Sequence, residues 1–253
     1  MVTTAQSRTD RCPKHCVNCH LRATNAFKPV TTEELMSIEA FRSGTTHVAA
    51  GCAIISEQHP VDKLFTLYAG WAFRYKTLTD GRRQILNFLL PGDFIGLQQE
   101  FADRPMHGIE ALTDVSLCIF PRGGLLELFR TTPSLGYTMT WLSAREEGFV
   151  DDNLLTAGQR KASERVAMLL MHLYRRMDLI GLAKAGSIAF PITQQHIADT
   201  LGLSLVHTNK TLSRLHKLGL HEIRDGRLKL LNTKSLERIA DYYDTPHVKV
   251  PLL

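Results

Sequence analysis

Three cysteines stand close together near the start of this sequence, in the spacing C-x3-C-x2-C. They are Cys12, Cys16 and Cys19, and a fourth cysteine, Cys118, lies far along the chain. Thiolate sulfur is a soft ligand that suits iron–sulfur clusters and zinc, and such sites commonly take four protein ligands. The four cysteines are therefore candidates for a metal or iron–sulfur site, and a set of ordinary thiols is the alternative.

Charge is divided unevenly along the 253 residues, of which 44% are hydrophobic and 22% charged. Residues 1–158 carry 15 Lys and Arg against 17 Asp and Glu, a net charge of −2. Residues 159–253 carry 15 against 8, a net charge of +7. A basic module of this kind favours a polyanion as its partner, and a solvated basic face is the alternative.

The length allows two modest globular domains, each with its own core. The sequence contains no run of about 18 apolar residues and no N-terminal secretory signal. We therefore expect a cytoplasmic protein with no membrane partner. Five cysteines in a chain of this size do not indicate a disulfide framework, and Cys52 is expected to be buried and inert.

The first half of the chain predicts a short helix followed by strands. Residues 31–42 have a helical period, with Thr32 as the predicted N-cap. From 47 to about 122, β-branched and aromatic runs alternate with turns, and Asp80-Gly81 predicts a hairpin. Strands without intervening helices predict a small antiparallel barrel or roll. The runs are LFTLYAG, WAFRYKTL, RRQILNFLL and ALTDVSLCIF.

Two helical stretches follow the strands. Over 124–156, Leu135, Leu142 and Phe149 recur at a spacing of seven, which predicts either a dimer helix or a helix packed on its own barrel. Residues 161–180 predict a strongly amphipathic helix. Its apolar face comprises Val166, Leu169, Leu170, Leu173 and Met177.

Residues 193–231 carry the most specific pattern in the chain. Thr193 is the predicted N-cap of a first helix that ends at Gly202, and Ser204 begins a second helix that ends at Gly219. The predicted buried residues are Ile197, Ala198 and Leu201, then Leu205, Leu212 and Leu215.

A basic hairpin that turns at Asp225-Gly226 follows the second helix. Two helices joined by a tight turn and followed by such a hairpin form a winged helix-turn-helix, whose second helix enters the DNA major groove. The side chains opposite the leucines are expected to contact bases: Val206, His207, Asn209, Lys210 and Ser213. Contacts to phosphate are expected from Thr193, Gln194, Arg214, Lys217, Arg224 and Arg227.

Together these stretches resemble the CRP/FNR superfamily of bacterial transcription regulators. The resemblance covers about residues 12–240 and rests on AGWAFRYKTLTDGRRQILNFLLPGDFIG, ASERVAMLLMHL and ITQQHIADTLGLSLVHTNKTLSRLHKLGL. It implies an α+β fold with a cyclic-nucleotide-binding-like β roll, a long dimerisation helix and a C-terminal winged helix-turn-helix. It also implies a homodimer on palindromic double-stranded DNA, with RNA polymerase as a partner if the protein activates transcription.

The resemblance implies four regions: a cysteine-rich segment (1–30), a β-roll sensor (31–130), a dimerisation helix (131–158) and a DNA-binding domain (159–253).

C-x3-C-x2-C is also the cluster motif of radical SAM enzymes, but their fold needs repeated βα units after the motif. No Ser-His-Asp arrangement, P-loop or H-E-x-x-H motif is found in the sequence either. We therefore expect that the protein is not an enzyme.

Family members that bind cyclic AMP grip its phosphate with an arginine, at a position that falls at about Met106-His107 here. No arginine stands there, although Arg104 is near. Because a cyclic phosphate requires a charge-assisted clamp, we expect that cyclic AMP is not bound.

The FNR branch of the family implies an oxygen-labile [4Fe–4S] cluster. Cys16, Cys19 and Cys118 match three of its ligand positions, and the remaining position falls at about Asn25. Three residues are candidates for the fourth ligand: Cys12, His15 and His20. Without a cluster, the protein would be a thiol-redox or zinc-responsive regulator, or an effector-independent one.

Overall fold

The computed structural model describes residues 12–98, 104–242 and 248–253. They form two compact units. The first unit lies within Met1–Lys76, Phe88–Glu147 and Lys249–Leu253, and the second within Thr77–Asn87 and Gly148–Val248. The first unit holds all five cysteines, and the second holds the basic C-terminal stretch. None of the helices in these ranges is long and apolar enough to cross a membrane.

The first unit begins with two 3₁₀ turns, Cys16–Asn18 and His20–Ala23, followed by α1 (Thr32–Phe41). Thr31 Oγ1 accepts a hydrogen bond from Glu34 N at 3.1 Å, and the Glu34 carboxylate accepts one from Thr31 N at 2.9 Å. The N-cap is therefore Thr31, and the prediction of Thr32 is wrong by one residue. Thr31 has a glutamate three residues later that completes a capping box, whereas Thr32 does not.

Within the described residues, eight strands form the β roll that the sequence predicts. They make two four-stranded sheets, with the orders β1-β8-β3-β6 and β2-β7-β4-β5. The strands are β1 (Gly44–Val48), β2 (Ala53–Ile55), β3 (Lys63–Ala69), β4 (Ala72–Thr77), β5 (Arg83–Leu89), β6 (Phe94–Ile95), β7 (Gly108–Ala111) and β8 (Val115–Pro121). The four predicted runs correspond to β3, β4, β5 and β8, and they do not include the short strands β1, β2 and β6 or most of β7. The predicted hairpin joins β4 to β5, where Leu78 N donates to Arg82 O at 2.8 Å.

Strand β8 lies between β1 and β3, and this register decides what surrounds Cys118. Cys118 lies opposite Thr45 of β1 and opposite Thr66 of β3. Directly opposite residues project from the same face of a sheet, so these three side chains share one face. The other face contributes to the hydrophobic core of the roll, with Phe65, Leu67 and Leu117.

Three helices follow the roll: α2 (Leu125–Thr131), α3 (Pro133–Gln159) and α4 (Ala162–Leu179). Leu135 and Leu142 of α3 are buried within the chain, so the spacing of seven is explained by packing on the same chain. The Phe149 ring lies against the His172 ring at 5.5 Å. Other apolar side chains of α3 are exposed, namely Tyr137, Val150, Leu154 and Leu155. The predicted apolar face of α4 is buried throughout.

The remaining elements of the second unit are β9 (Ser187–Ala189), α5 (Gln194–Leu201), α6 (Leu205–Lys217), β10 (His221–Arg224), β11 (Arg227–Leu230) and α7 (Thr233–Ala240). The strands form an antiparallel sheet in the order β10-β11-β9. Helices α5 and α6 and the hairpin β10–β11 confirm the predicted winged helix-turn-helix. Sequence reasoning did not anticipate β9 or α7.

Candidate DNA-binding surface and cysteine site

Side-chain caps start both helices of the helix-turn-helix. Thr193 Oγ1 accepts a hydrogen bond from His196 N at 3.2 Å, and Thr193 N donates to His196 Nδ1 at 3.2 Å. Gly202 ends α5 with φ at +62°, a left-handed conformation that glycine adopts without strain. Ser204 Oγ then accepts from His207 N at 3.2 Å and starts α6. The predicted caps and the turn at Gly202 are confirmed.

The buried face of α6 differs from the prediction at its first residue. Leu212 and Leu215 are buried as predicted, but Leu205 is 43% exposed, so its assignment to the core is wrong. Helical side chains lean toward the N-terminus of their helix, so the first residue projects beyond the helix start. Thr208, one turn later, is fully buried in its place.

The opposite face of α6 is exposed and basic. All of the predicted base-facing residues are exposed: Val206, His207, Asn209, Lys210 and Ser213. A shallow open groove along this face is lined by Asn209, Lys210, Ser213, Arg214, Lys217 and Leu218. Three of the six lining residues are cationic and none is acidic, so the surface suits a polyanion. Of the six, only Leu218 was not among the predicted contacts.

The wing turns at Asp225 and Gly226, whose φ angles of +50° and +68° are those of a type I′ hairpin. The side chain of Arg224, at the tip, is 78% exposed. Arg227 instead donates from Nε and Nη2 to Ser187, at 2.9 Å and 2.8 Å. Two of its five N–H groups therefore tie β11 to β9, whereas Arg224 projects into solvent.

Arg42, the residue that follows α1, holds the main chain of the N-terminal cysteine segment (Cys12–Ala23). Its Nη1 donates to Pro13 O at 2.9 Å, and its Nη2 donates to Lys14 O. Arg42 also hydrogen-bonds to the Cys118 side chain. One guanidinium thus connects the segment to strand β8.

Glu39 of α1 makes a second attachment of the same segment. Its carboxylate accepts a hydrogen bond from Cys16 N at 3.0 Å, and it lies 2.7 Å from His15 Nδ1. The hydrogen bond to His15, and then the one from Cys16, hold the pKa of Glu39 below its usual range. Since the carboxylate is the form that accepts these bonds, the attachment weakens as the pH falls and Glu39 is protonated.

The fold brings the four candidate cysteines into one neighbourhood, which we call the cysteine site (Cys12, Cys16, Cys19 and Cys118). Cys12 and Cys118 share a hydrogen bond. That bond, reinforced by Arg42, lowers the pKa of Cys118 to about 7 despite burial, and it raises the pKa of Cys12. Burial raises the pKa values of Cys16 and Cys19, and the charge of Cys118 acts on both.

The candidates for a fourth ligand differ in the groups that surround them. His15 lies beside Glu39, and the Nδ1 of His20 lies 2.7 Å from the Tyr68 hydroxyl. Asn25 is exposed. Cys12 is the candidate that lies beside Cys118.

Arg22 is a feature of the cysteine site that sequence reasoning missed. Its charge interacts with Cys19, Cys16 and Cys118, and burial lowers its pKa. Within the part of the chain that the structure describes, its buried Nε and Nη1 have no hydrogen-bond partner. Buried donors of this kind are costly unless an acceptor satisfies them, so the site suits an additional anionic group.

The cysteine site does not converge on a single point. In the described ranges, no group of three or more His, Cys, Asp or Glu side chains is arranged to hold one metal ion. Thiolates on a four-iron cluster each bind a different iron and therefore stand further apart than the ligands of one zinc ion. The five cysteines, all within these ranges, form no disulfide.

Cys52 is exposed in the turn between β1 and β2, so the expectation that it is buried is wrong.

The position of the cyclic-nucleotide phosphate clamp carries no cation in this chain. Met106 is 59% exposed, and His107 is buried. Burial, followed by the charges of Arg74 and Lys76, lowers the pKa of His107 to about 4, so its ring is neutral at physiological pH. Arg104 is exposed. That cyclic AMP is not bound stays a prediction.

Two family models match the chain, one described as a cyclic nucleotide-binding domain over residues 45–132 and one as a Crp-like helix-turn-helix domain over residues 164–239. The transcriptional activatory protein AadR of Rhodopseudomonas palustris is 32% identical over 91% of this chain and 93% of its own. The transcriptional activator protein FnrL of Cereibacter sphaeroides is 28% identical over 90% of this chain and 93% of its own. The structure of FixK2 from Bradyrhizobium japonicum matches with 31% identity and a TM-score of 0.71, over 77% of this chain and 96% of FixK2.

The shared hydrogen bond predicts how the thiols titrate. In reduced, metal-free protein, thiolate ultraviolet absorbance should rise with a midpoint near pH 7, since Cys118 ionises at a pKa of about 7. Cys118→Ala should remove this step. Cys12→Ala should move it to higher pH, because the thiolate loses a donor. A first midpoint at about 8.5, the ordinary value for cysteine, would contradict the geometry.

The exposed face of α6 predicts separate roles for two of its residues. Asn209→Ala should weaken binding to an operator selected from random DNA by about 1–3 kcal/mol, with little change on non-specific DNA. The matched control Lys217→Ala should weaken both alike and reduce the dependence of log affinity on log salt by about 1. Fluorescence anisotropy at several salt concentrations measures both effects. Equal losses for Asn209→Ala on the two DNAs would make it a backbone contact.

Proposed function

Because this chain belongs to the CRP/FNR family of transcription regulators, we propose that it regulates transcription in response to oxygen through a [4Fe–4S] cluster at the cysteine site. The observation that carries the proposal is a neighbourhood of four thiols beside Arg22, whose buried N–H groups have no partner among the described residues. Four thiolates around such a cluster leave it with a net negative charge. The guanidiniums of Arg22 and Arg42 offset that charge at short range.

A bound cluster supplies the oxygen-labile chemistry, and the residues of the chain convert it into a mechanical signal. Cys12, Cys16 and Cys19 would join the N-terminal cysteine segment to Cys118 on β8. Without that junction, the segment is held by the polar attachments described above, chiefly those made by Arg42, and by the burial of Leu21. The junction therefore decides how firmly the segment is fixed to the roll.

The stretch that follows the N-terminal cysteine segment contacts α3, the helix that we propose as the dimer contact. Lys28, in this stretch, places Nζ 5.1 Å from the centre of the Trp141 ring on α3. The exposed apolar side chains of α3 supply the surface for a second copy: Tyr137, Val150, Leu154 and Leu155. Each copy then places α6 in one half of a palindromic operator. A loosened dimer contact lowers DNA affinity, because both halves must bind together.

We propose RNA polymerase as the protein partner, since AadR and FnrL are both named as activators.

The alternative to the iron–sulfur cluster is a cluster-free thiol switch, which the hydrogen bond between Cys12 and Cys118 favours. The Cys118 thiolate would attack hydrogen peroxide, taking one oxygen as sulfenic acid and releasing water after protonation. The Cys12 thiol would then displace a second water and form the disulfide.

Operator binding with and without oxygen tests the proposed function. Wild-type protein purified without oxygen should lose at least about tenfold in operator affinity on exposure to air, which is about 1.4 kcal/mol. Cys118→Ser should show the same affinity before and after exposure, because one of the four ligands is missing. Cys52→Ser, a change at an exposed thiol outside the site, should respond as the wild type does.

Thermal unfolding of each variant confirms that it is folded before its affinity is interpreted. An unchanged oxygen response in Cys118→Ser would contradict the proposal. Repeating the measurement with hydrogen peroxide in place of air, on protein freed of iron, separates the alternative. Only the thiol switch responds there, and it requires both Cys12 and Cys118.

A further inference from the structure

The last residues of the chain are fixed on the first unit, next to the stretch that follows the N-terminal cysteine segment. Val250 N donates to Ala26 O at 2.9 Å, and Lys28 N donates to Val250 O at 2.9 Å. These bonds form a parallel bridge between Val250 and Phe27.

The residues beyond the bridge are buried. Pro251, Leu252 and Leu253 have little exposed surface, and the two leucines are 2% and 5% exposed. Burial of these apolar side chains stabilises the attachment. We call Val250–Leu253 the tail.

The end of the tail lies beside the cysteine site. The buried hydroxyl of Thr66 donates to Leu253 O at 2.8 Å. Thr66 is the register partner of Cys118 across β3 and β8, so the two side chains project from the same face of the sheet. The tail therefore contacts that face next to the strand position that carries Cys118.

The other partner of the tail is also fixed in place. Phe27 is 5% exposed and packs against Gly92, where an added Cβ would lie 2.1 Å from Phe27 Cζ. Gly92 has φ at +98°, a conformation that other residues rarely adopt. The stretch that pairs with the tail is thus fixed on the roll by the buried Phe27 ring. The same stretch directly follows the N-terminal cysteine segment in the chain.

We propose that the tail is a latch on the cysteine site, whose docking is energetically linked to the state of the thiols. The tail pairs with the stretch that follows the N-terminal cysteine segment, and its end contacts the sheet face from which Cys118 projects. A modification that displaces the segment or enlarges Cys118 therefore removes support from the tail. Linkage is reciprocal, so releasing the tail must expose the thiols.

The first test measures thiol exposure in full-length, reduced, metal-free protein, so its outcome is independent of any cofactor. Val250→Pro removes the N–H that Ala26 accepts. Mass spectrometry should show Cys16 and Cys118 labelled by iodoacetamide about fivefold faster, the effect of losing one such bond. Cys52 is the internal reference, and Val248→Pro, at a residue 60% exposed, is the matched control. Equal labelling in the two proline variants would overturn the proposal.

The second test measures release of the tail. Hydrogen–deuterium exchange of the Val250 amide, which donates to Ala26 O, should be slow in reduced wild-type protein and about fivefold faster in Thr66→Val, an isosteric change that deletes the hydroxyl donor. In wild-type protein alkylated at its thiols with N-ethylmaleimide, this amide should exchange at least as fast as in Thr66→Val. Exchange at the unmodified rate after alkylation would show that the tail and the thiols are not linked, and would overturn the proposal.

Discussion

The Arg42 guanidinium is the constraint on which the rest of the cysteine site depends. It donates to Pro13 and Lys14 on one side and to Cys118 on the other, so a single planar cation joins the chain's N-terminal segment to the middle of a sheet. A lysine could not make these contacts together, because its ammonium lacks the wide planar fork of donors. Together with the attachment at Glu39, this junction brings cysteines far apart in sequence into one neighbourhood.

That junction places charge where the chemistry requires it. The hydrogen bond between Cys12 and Cys118, reinforced by Arg42, lowers the pKa of Cys118 to about 7. The same bond raises the pKa of Cys12, and the charge of Arg22 acts on the neighbouring thiols. A thiol that ionises near neutral pH therefore lies beside one that stays protonated, a pair suited to ligand exchange and to redox chemistry. The charges of the DNA-binding surface are placed differently. Its exposed cations lie on one face of α6, and the opposite face of that helix is buried.

Local patterns in the sequence predicted most of the architecture. Buried residues of α4 and α5 recur with a helical period, and the caps at Thr193 and Ser204 have unambiguous side chains. The errors have local causes as well. Thr31 and Thr32 are adjacent caps that only Glu34 distinguishes, and Leu205 precedes the packed part of its helix. The partners of Arg42, Arg22 and the tail could not be predicted, because they are set by tertiary contacts that leave no periodic signal.

The most direct measurement is the iron and acid-labile sulfide content of the full-length protein purified without oxygen, compared with Cys12→Ala. A cluster held by Cys12, Cys16, Cys19 and Cys118 predicts about four irons and about four sulfides per wild-type chain. It also predicts a loss of most of both in Cys12→Ala, in protein that unfolds at the temperature of metal-free wild type. Wild-type protein without iron, or full iron and sulfide content in Cys12→Ala, would contradict the account.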